Sequence, residues 1–152
     1  MAVTGRCEIV VDAPLAVAFG QFVDCNRWSA WMPEAFRPVK TPRGALPEGG
    51  SFTVKIPLGA LEPTLPVKVF RVRPNHEVAW GGGARGVLHI EHCFFFEHAG
   101  EGRTRIRSEE TFRGLLTLPT RVGRRMEKEI VRIGEAQLAA FCAYVGRVRT
   151  QS

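Results

Sequence analysis

Between Val87 and Gly114 the chain sorts its side chains by residue number, in two consecutive runs. The second run has Arg103, Arg105, Arg107, Glu109, Thr111 and Arg113 at odd positions and Thr104, Ile106, Ser108, Glu110 and Phe112 at even ones. The first run puts Leu88, Ile90, His92, Phe94 and Phe96 at its even positions. Successive side chains of a strand point to opposite faces, so the even face is mostly apolar and the odd face of the second run is an arginine stripe. The stretch His98-Ala99-Gly100-Glu101-Gly102 joins the runs as a hairpin. His92, Ser108 and Glu110 then stand on a surface where polar groups are costly unless they have partners or a function.

The rest of the chain supplies what such a face packs against. Residues 5–12 alternate and read as a first strand, with Cys7, Ile9 and Val11 on one side. Asp12 is positioned as an N-cap with Pro14 in the first turn of a short helix over about residues 13–23. A second short helical or irregular piece carries Trp28 and Trp31. Strands are expected around 37–40, from Ser51 to Leu58, from Leu65 to Arg73 (where Phe70 and Val72 blur the alternation) and from Glu77 to Gly81. Pro119 opens a long helical pattern to about residue 148, with Val122, Met126, Ile130, Ile133, Gln137, Phe141, Tyr144 and Val148 at steps of three and four. Gly123, Gly134 and Gly146 interrupt it, either for close packing or as a kink. The stripe must bury itself against the inner face of the sheet. An α+β fold follows: a curved antiparallel sheet of about six or seven strands wrapped on a long C-terminal helix, with two short helices after the first strand.

At 152 residues the chain is expected to be one domain, 1–152, with a real core. It has no apolar run of membrane-spanning length and no apolar signal core near Met1, so a cytoplasmic location is expected. The four cysteines, Cys7, Cys25, Cys93 and Cys142, have neither zinc-like spacing nor a C-x-x-C pair and read as free, mostly buried thiols. The net charge of +6 is driven by arginine, and seven basic residues against three acidic ones lie from Arg121 onward. That bias permits contact with nucleic acid, an anionic membrane or an acidic protein, and equally fits a solvated helix face.

Several pieces, in order, resemble the START-like superfamily, also labelled SRPBCC, which includes the polyketide cyclase/dehydrase group. They are Val11-Asp12-Ala13-Pro14; Trp28-Ser29-Ala30-Trp31-Met32-Pro33; the run from Pro74 to Gly82; His92-Cys93-Phe94-Phe95-Phe96; Gly102-Arg103-Thr104; and Glu110-Thr111-Phe112-Arg113-Gly114-Leu115. The resemblance covers about residues 3–148. It implies a helix-grip cavity between sheet and long helix, used across the superfamily for lipids, sterols, polyketides and other apolar molecules. Fold alone does not assign an activity.

In that fold the even face of the hairpin lines the cavity. Two registers keep it inward, one with His92 opposite Ser108 and the other with His92 opposite Glu110. The candidate ligand-binding set is Trp80, Ile90, His92, Phe94, Ser108, Glu110, Phe112 and Tyr144. Of these, His92 and Glu110 are the candidate acid–base pair, with the plain alternative that they satisfy each other in the core. Trp31 is expected to staple the small helices to the sheet. Phe95, on the outer face, reads as a homodimer contact or a tolerated exposed aromatic.

Three functions compete. The first is binding or transport of a hydrophobic small molecule. The second is a cyclase/dehydrase-type enzyme using His92 and Glu110, and the third a basic module that docks an acidic partner. Nucleic acid is disfavoured because the basic face lacks interleaved aromatics, and membrane contact has no specific support. No cofactor or metal is expected. The run Gly81-Gly82-Gly83-Ala84-Arg85-Gly86 is not followed by a helix, and His89, three residues from His92, falls on the opposite face.

Overall fold

The computed structural model describes residues 2–57, 60–84, 86–114 and 121–150, with backbone only for 84, 121–123, 126, 127, 149 and 150. Seven strands form one antiparallel sheet: β1 (Ala2–Val11), β2 (Arg37–Lys40), β3 (Ser51–Lys55), β4 (Thr64–Arg73), β5 (Glu77–Ala84), β6 (Leu88–His98) and β7 (Thr104–Arg113). Their order is β1-β7-β6-β5-β4-β3-β2, so the first strand closes on the last. Helix α1 (Leu15–Val23), a 3-10 turn (Cys25–Arg27) and α2 (Trp28–Trp31) follow β1, and α3 (Arg121–Thr150) ends the described chain. No helix among the described residues is long and apolar enough to cross a membrane.

Pairing explains where the elements differ from expectation. β1 begins at Ala2 rather than Gly5 because it pairs with β7 along its whole length, from Ala2 opposite Arg113 to Val11 opposite Thr104. β5 runs through its glycines to Ala84 because β6 continues opposite it, Gly82 facing Ile90 and Ala84 facing Leu88. Here tertiary pairing overrides low strand propensity. β3 stops at Lys55, ahead of Pro57, which has no N–H to give a ladder, and Leu58 lies outside the described residues. The blurred alternation at Phe70 and Val72 is a bulge: the register with β5 shifts between Val69 and Arg71. The hairpin turn carries Gly100 at φ 104° and Gly102 at φ 66°, conformations that glycine adopts without strain.

Asp12 is not the helix cap. Pro14 occupies that position without a side-chain bond, and Asp12 stands 3.2 Å from the Arg103 guanidinium, two residues too early to reach the helix amides. α3 runs to Thr150 without interruption, and its start at Pro119 lies outside the described residues, as do the side chains of Val122 and Met126. Gly134 serves close packing: an added Cβ would lie 3.1 Å from Cys7 Sγ and 3.2 Å from Ser108 Oγ.

The core is aromatic and centred on Phe22, which touches Trp31, Trp80, Phe94, Phe96 and Phe141 at centroid distances of 4.8–6.1 Å. Trp31 packs its ring 4.9 Å from that of Phe141 on α3 and 5.3 Å from that of Phe22 on α1. All four cysteines are free; only Cys25 is buried, and the other three are half-buried.

Candidate functional site

Sheet register lays the inner face out in rows. Val78, Phe94, Ser108 and Cys7 form one row, Trp80, His92, Glu110 and Gly5 the next, and Gly82, Ile90, Phe112 and Val3 the third. Of the two registers open from sequence, the chain adopts the one that sets His92 opposite Glu110. The imidazole nevertheless bonds diagonally: its Nε2 is 2.7 Å from Ser108 Oγ, while its Nδ1 is 3.9 Å from Glu110 Oε2. The latter distance is too long for a hydrogen bond, and Glu110 Oε2 is buried without a partner.

Burial governs the charge of both groups. Desolvation pushes the Glu110 carboxyl up to about 8 and the His92 imidazole down to about 3. At neutral pH burial therefore favours a neutral His92 imidazole and a protonated Glu110 carboxyl. α3 presses on this row from above: a Cβ on Gly5, opposite Glu110, would come within 2.8 Å of Ile130.

A cavity of about 480 Å³ opens beside the row. Phe36, Val54, Ile56, Leu65, Val67, Leu88 and Ile90 form its apolar walls, the glycines at 81–83 leave it room, and Trp80, His92 and Glu110 stand at one side. Among the described residues α3 contributes none of the lining. From the expected set the structure brings Trp80, Ile90, His92 and Glu110 to this wall. Ser108 stands behind His92, and Phe94 is fully buried between His92 and Phe22. Phe112 is half-buried opposite Ile90, outside the described lining. Tyr144 is elsewhere: its hydroxyl accepts a 2.9 Å bond from the Arg27 guanidinium. Trp28 is core, its indole N–H donating to the Phe22 carbonyl.

Sequence reasoning missed Gly82 and Leu65 as site residues. Gly82 shares the parity of Val78 and Trp80, and a glycine on an inward position is the signal for a hollow. Leu65 showed no such signal.

The outer face holds its charge internally. Arg105 lies 3.5 Å from Glu97, and Arg107 lies 3.8 Å from Glu109 and over the Phe95 ring at 5.1 Å. Arg71 bridges Glu77 at 2.8 Å and Glu91 at 2.6 Å. His89 is on this face, 6.0 Å from the Phe70 ring and away from His92.

Residues 3–146 match the model of a family described as polyketide cyclase / dehydrase and lipid transport. No curated protein matches the chain. Among solved structures it is similar to an aromatase/cyclase from a Streptomyces species (14% identity, TM-score 0.74, 97% of this chain and 95% of that one). It is also similar to a START superfamily protein from Mycobacterium smegmatis (12% identity, TM-score 0.72, 95% and 98%). A di-domain aromatase/cyclase from the steffimycin biosynthetic pathway aligns over 99% of this chain and 53% of its own length, with 12% identity and a TM-score of 0.76. At these identities the likeness is one of fold.

Proposed function

This chain belongs to the polyketide cyclase / dehydrase and lipid transport family, and from that premise we propose that it binds a hydrophobic small molecule in the cavity at 81–83, anchored by His92 and Glu110. One observation carries the reading: a hollow of about 480 Å³ has apolar walls and a single polar side, where a buried carboxyl oxygen lacks a partner. An apolar pocket with a few convergent polar groups is the usual build of a small-molecule site. Mass spectrometry of gently purified protein is expected to reveal a co-purified apolar compound, and His92→Ala and Glu110→Ala are expected to lose it. Unchanged retention in both variants would remove these residues as anchors.

Acid–base turnover is the second reading, favoured by Glu110 alone. A carboxylic acid that keeps its proton at pH 7 can donate it to a carbonyl or a leaving hydroxyl, as cyclisation and dehydration require. Consumption of a polyketide mimic by the protein, abolished in Glu110→Gln, is the expected outcome if this reading holds.

A further inference from the structure

The geometry points to a ligand of one chemical class: an uncharged ring compound that presents a single carbonyl or hydroxyl oxygen to both His92 and Glu110, and not a fatty-acid anion. This deepens the binding reading above and rests on it. His92 Nδ1 and Glu110 Oε2 are 3.9 Å apart, too far to bond each other. One oxygen at the apex of a triangle on that base reaches both at ordinary hydrogen-bond lengths, about 2.8 Å. The other ring nitrogen of His92 is already occupied by Ser108, so the pair has one vacancy to offer and not two.

The walls decide the charge. Among the described residues that line the cavity none is Lys or Arg, and the only ionisable groups are His92 and Glu110. Among these described residues a carboxylate would find no cation to replace its lost water and would face the Glu110 carboxyl group, which is strongly unfavourable. A ketone or phenol carries no such penalty. It gains a donor from the protonated Glu110, and a phenol can also donate. Trp80, the next residue in the row, also has its indole N–H without a partner, so the polar side is under-satisfied as a whole. The remaining walls are aliphatic or aromatic and favour a flat, apolar body.

Calorimetric titration at pH 6.5 with naphthalene, 2-naphthol and 2-naphthoate tests this, because the three share a skeleton and differ in oxygen and charge. We expect 2-naphthol to bind about tenfold more tightly than naphthalene and 2-naphthoate to bind more weakly than 2-naphthol by about tenfold or more. In Glu110→Leu the advantage of 2-naphthol over naphthalene should vanish while naphthalene still binds. Glu110→Gln, which keeps shape and polarity, should retain it, and it serves if the leucine variant does not fold. Equal binding of naphthalene and 2-naphthol, or 2-naphthoate binding as tightly as 2-naphthol, overturns the assignment and leaves the binding reading standing. Failure of all three to bind overturns the binding reading itself.

Discussion

The two ends of the sheet's inner face are made from the same strands and finish differently. Toward Val78, Phe94 and Phe96 the inward positions are filled, and α1 and α2 close over them with Phe19, Phe22 and Trp31. Two residues further along β5 the inward side chain changes from Trp80 to nothing, at Gly82, and the facing strands leave a hollow. One end is a core in which every ring has rings around it; the other is a wall with space in front of it. Stability belongs to the first end and ligand chemistry to the second, and Trp80 and His92 stand on the boundary. Mutations on either side of that boundary should therefore separate folding from binding.

The largest separation is expected at the filled end. Phe22 is wholly buried and touches five aromatic rings, three on strands and two on helices, so Phe22→Ala leaves a void that these packed neighbours close only in part. A loss of about 3–5 kcal/mol in urea unfolding is expected. A loss below about 1 kcal/mol would mean that this end is as loosely filled as the other.

The filled end was the more legible of the two in sequence. Alternation in residues 5–12 and 87–114, and helical spacing from Ile130 to Val148, are direct consequences of burial on one face, so these strands and the gripping helix could be read from residue types. His92 and Glu110 were legible for the same reason, as polar exceptions to an apolar parity. The hollow itself was not. Gly82 and the blurred alternation at Phe70 and Val72 are local traces of it, but whether the surrounding walls leave a space is set by tertiary packing, which has no local pattern. Tyr144 shows the limit from the other side: its place on the α3 stripe was right, but a guanidinium from the 3-10 turn takes its hydroxyl, and that contact spans 117 positions.

At the boundary the effect is one of pH. Glu110 has a folded pKa of about 8 against an ordinary 4.5, so the native state keeps a proton that the unfolded chain releases, and stability is lost as pH rises from 4.5 through 8. His92 runs the other way: its folded value near 3 lies below the ordinary 6.5, so stability present above 6.5 is lost as pH falls toward 3. The two slopes oppose each other between about 4.5 and 6.5, giving a plateau there, with a decline of up to about 1.4 kcal/mol per pH unit between 6.5 and 8. Glu110→Gln should flatten that alkaline decline and turn the plateau between about 4.5 and 6.5 into a rise with pH, because His92 then acts unopposed. Urea midpoints at pH 6.5 and 8 measure it, and an unchanged decline in the variant would place its origin elsewhere.

The smallest stability change is expected at the hollow end, and its smallness is what makes it informative. Leu65 lines the cavity, is 37% exposed and pairs with Val54 on the neighbouring strand. Leu65→Ala widens a space that is already open and creates no closed void, so the term that makes Phe22→Ala costly is missing and only a partial loss of apolar burial remains, about 1 kcal/mol or less. The same change removes apolar surface from the cavity wall, so 2-naphthol should bind several-fold more weakly to a protein that unfolds at nearly the wild-type urea midpoint. If Leu65→Ala instead costs as much as a core truncation, the wall at β4 is part of the packed core, and the division between a folding end and a binding end fails at the strand where it is drawn most finely.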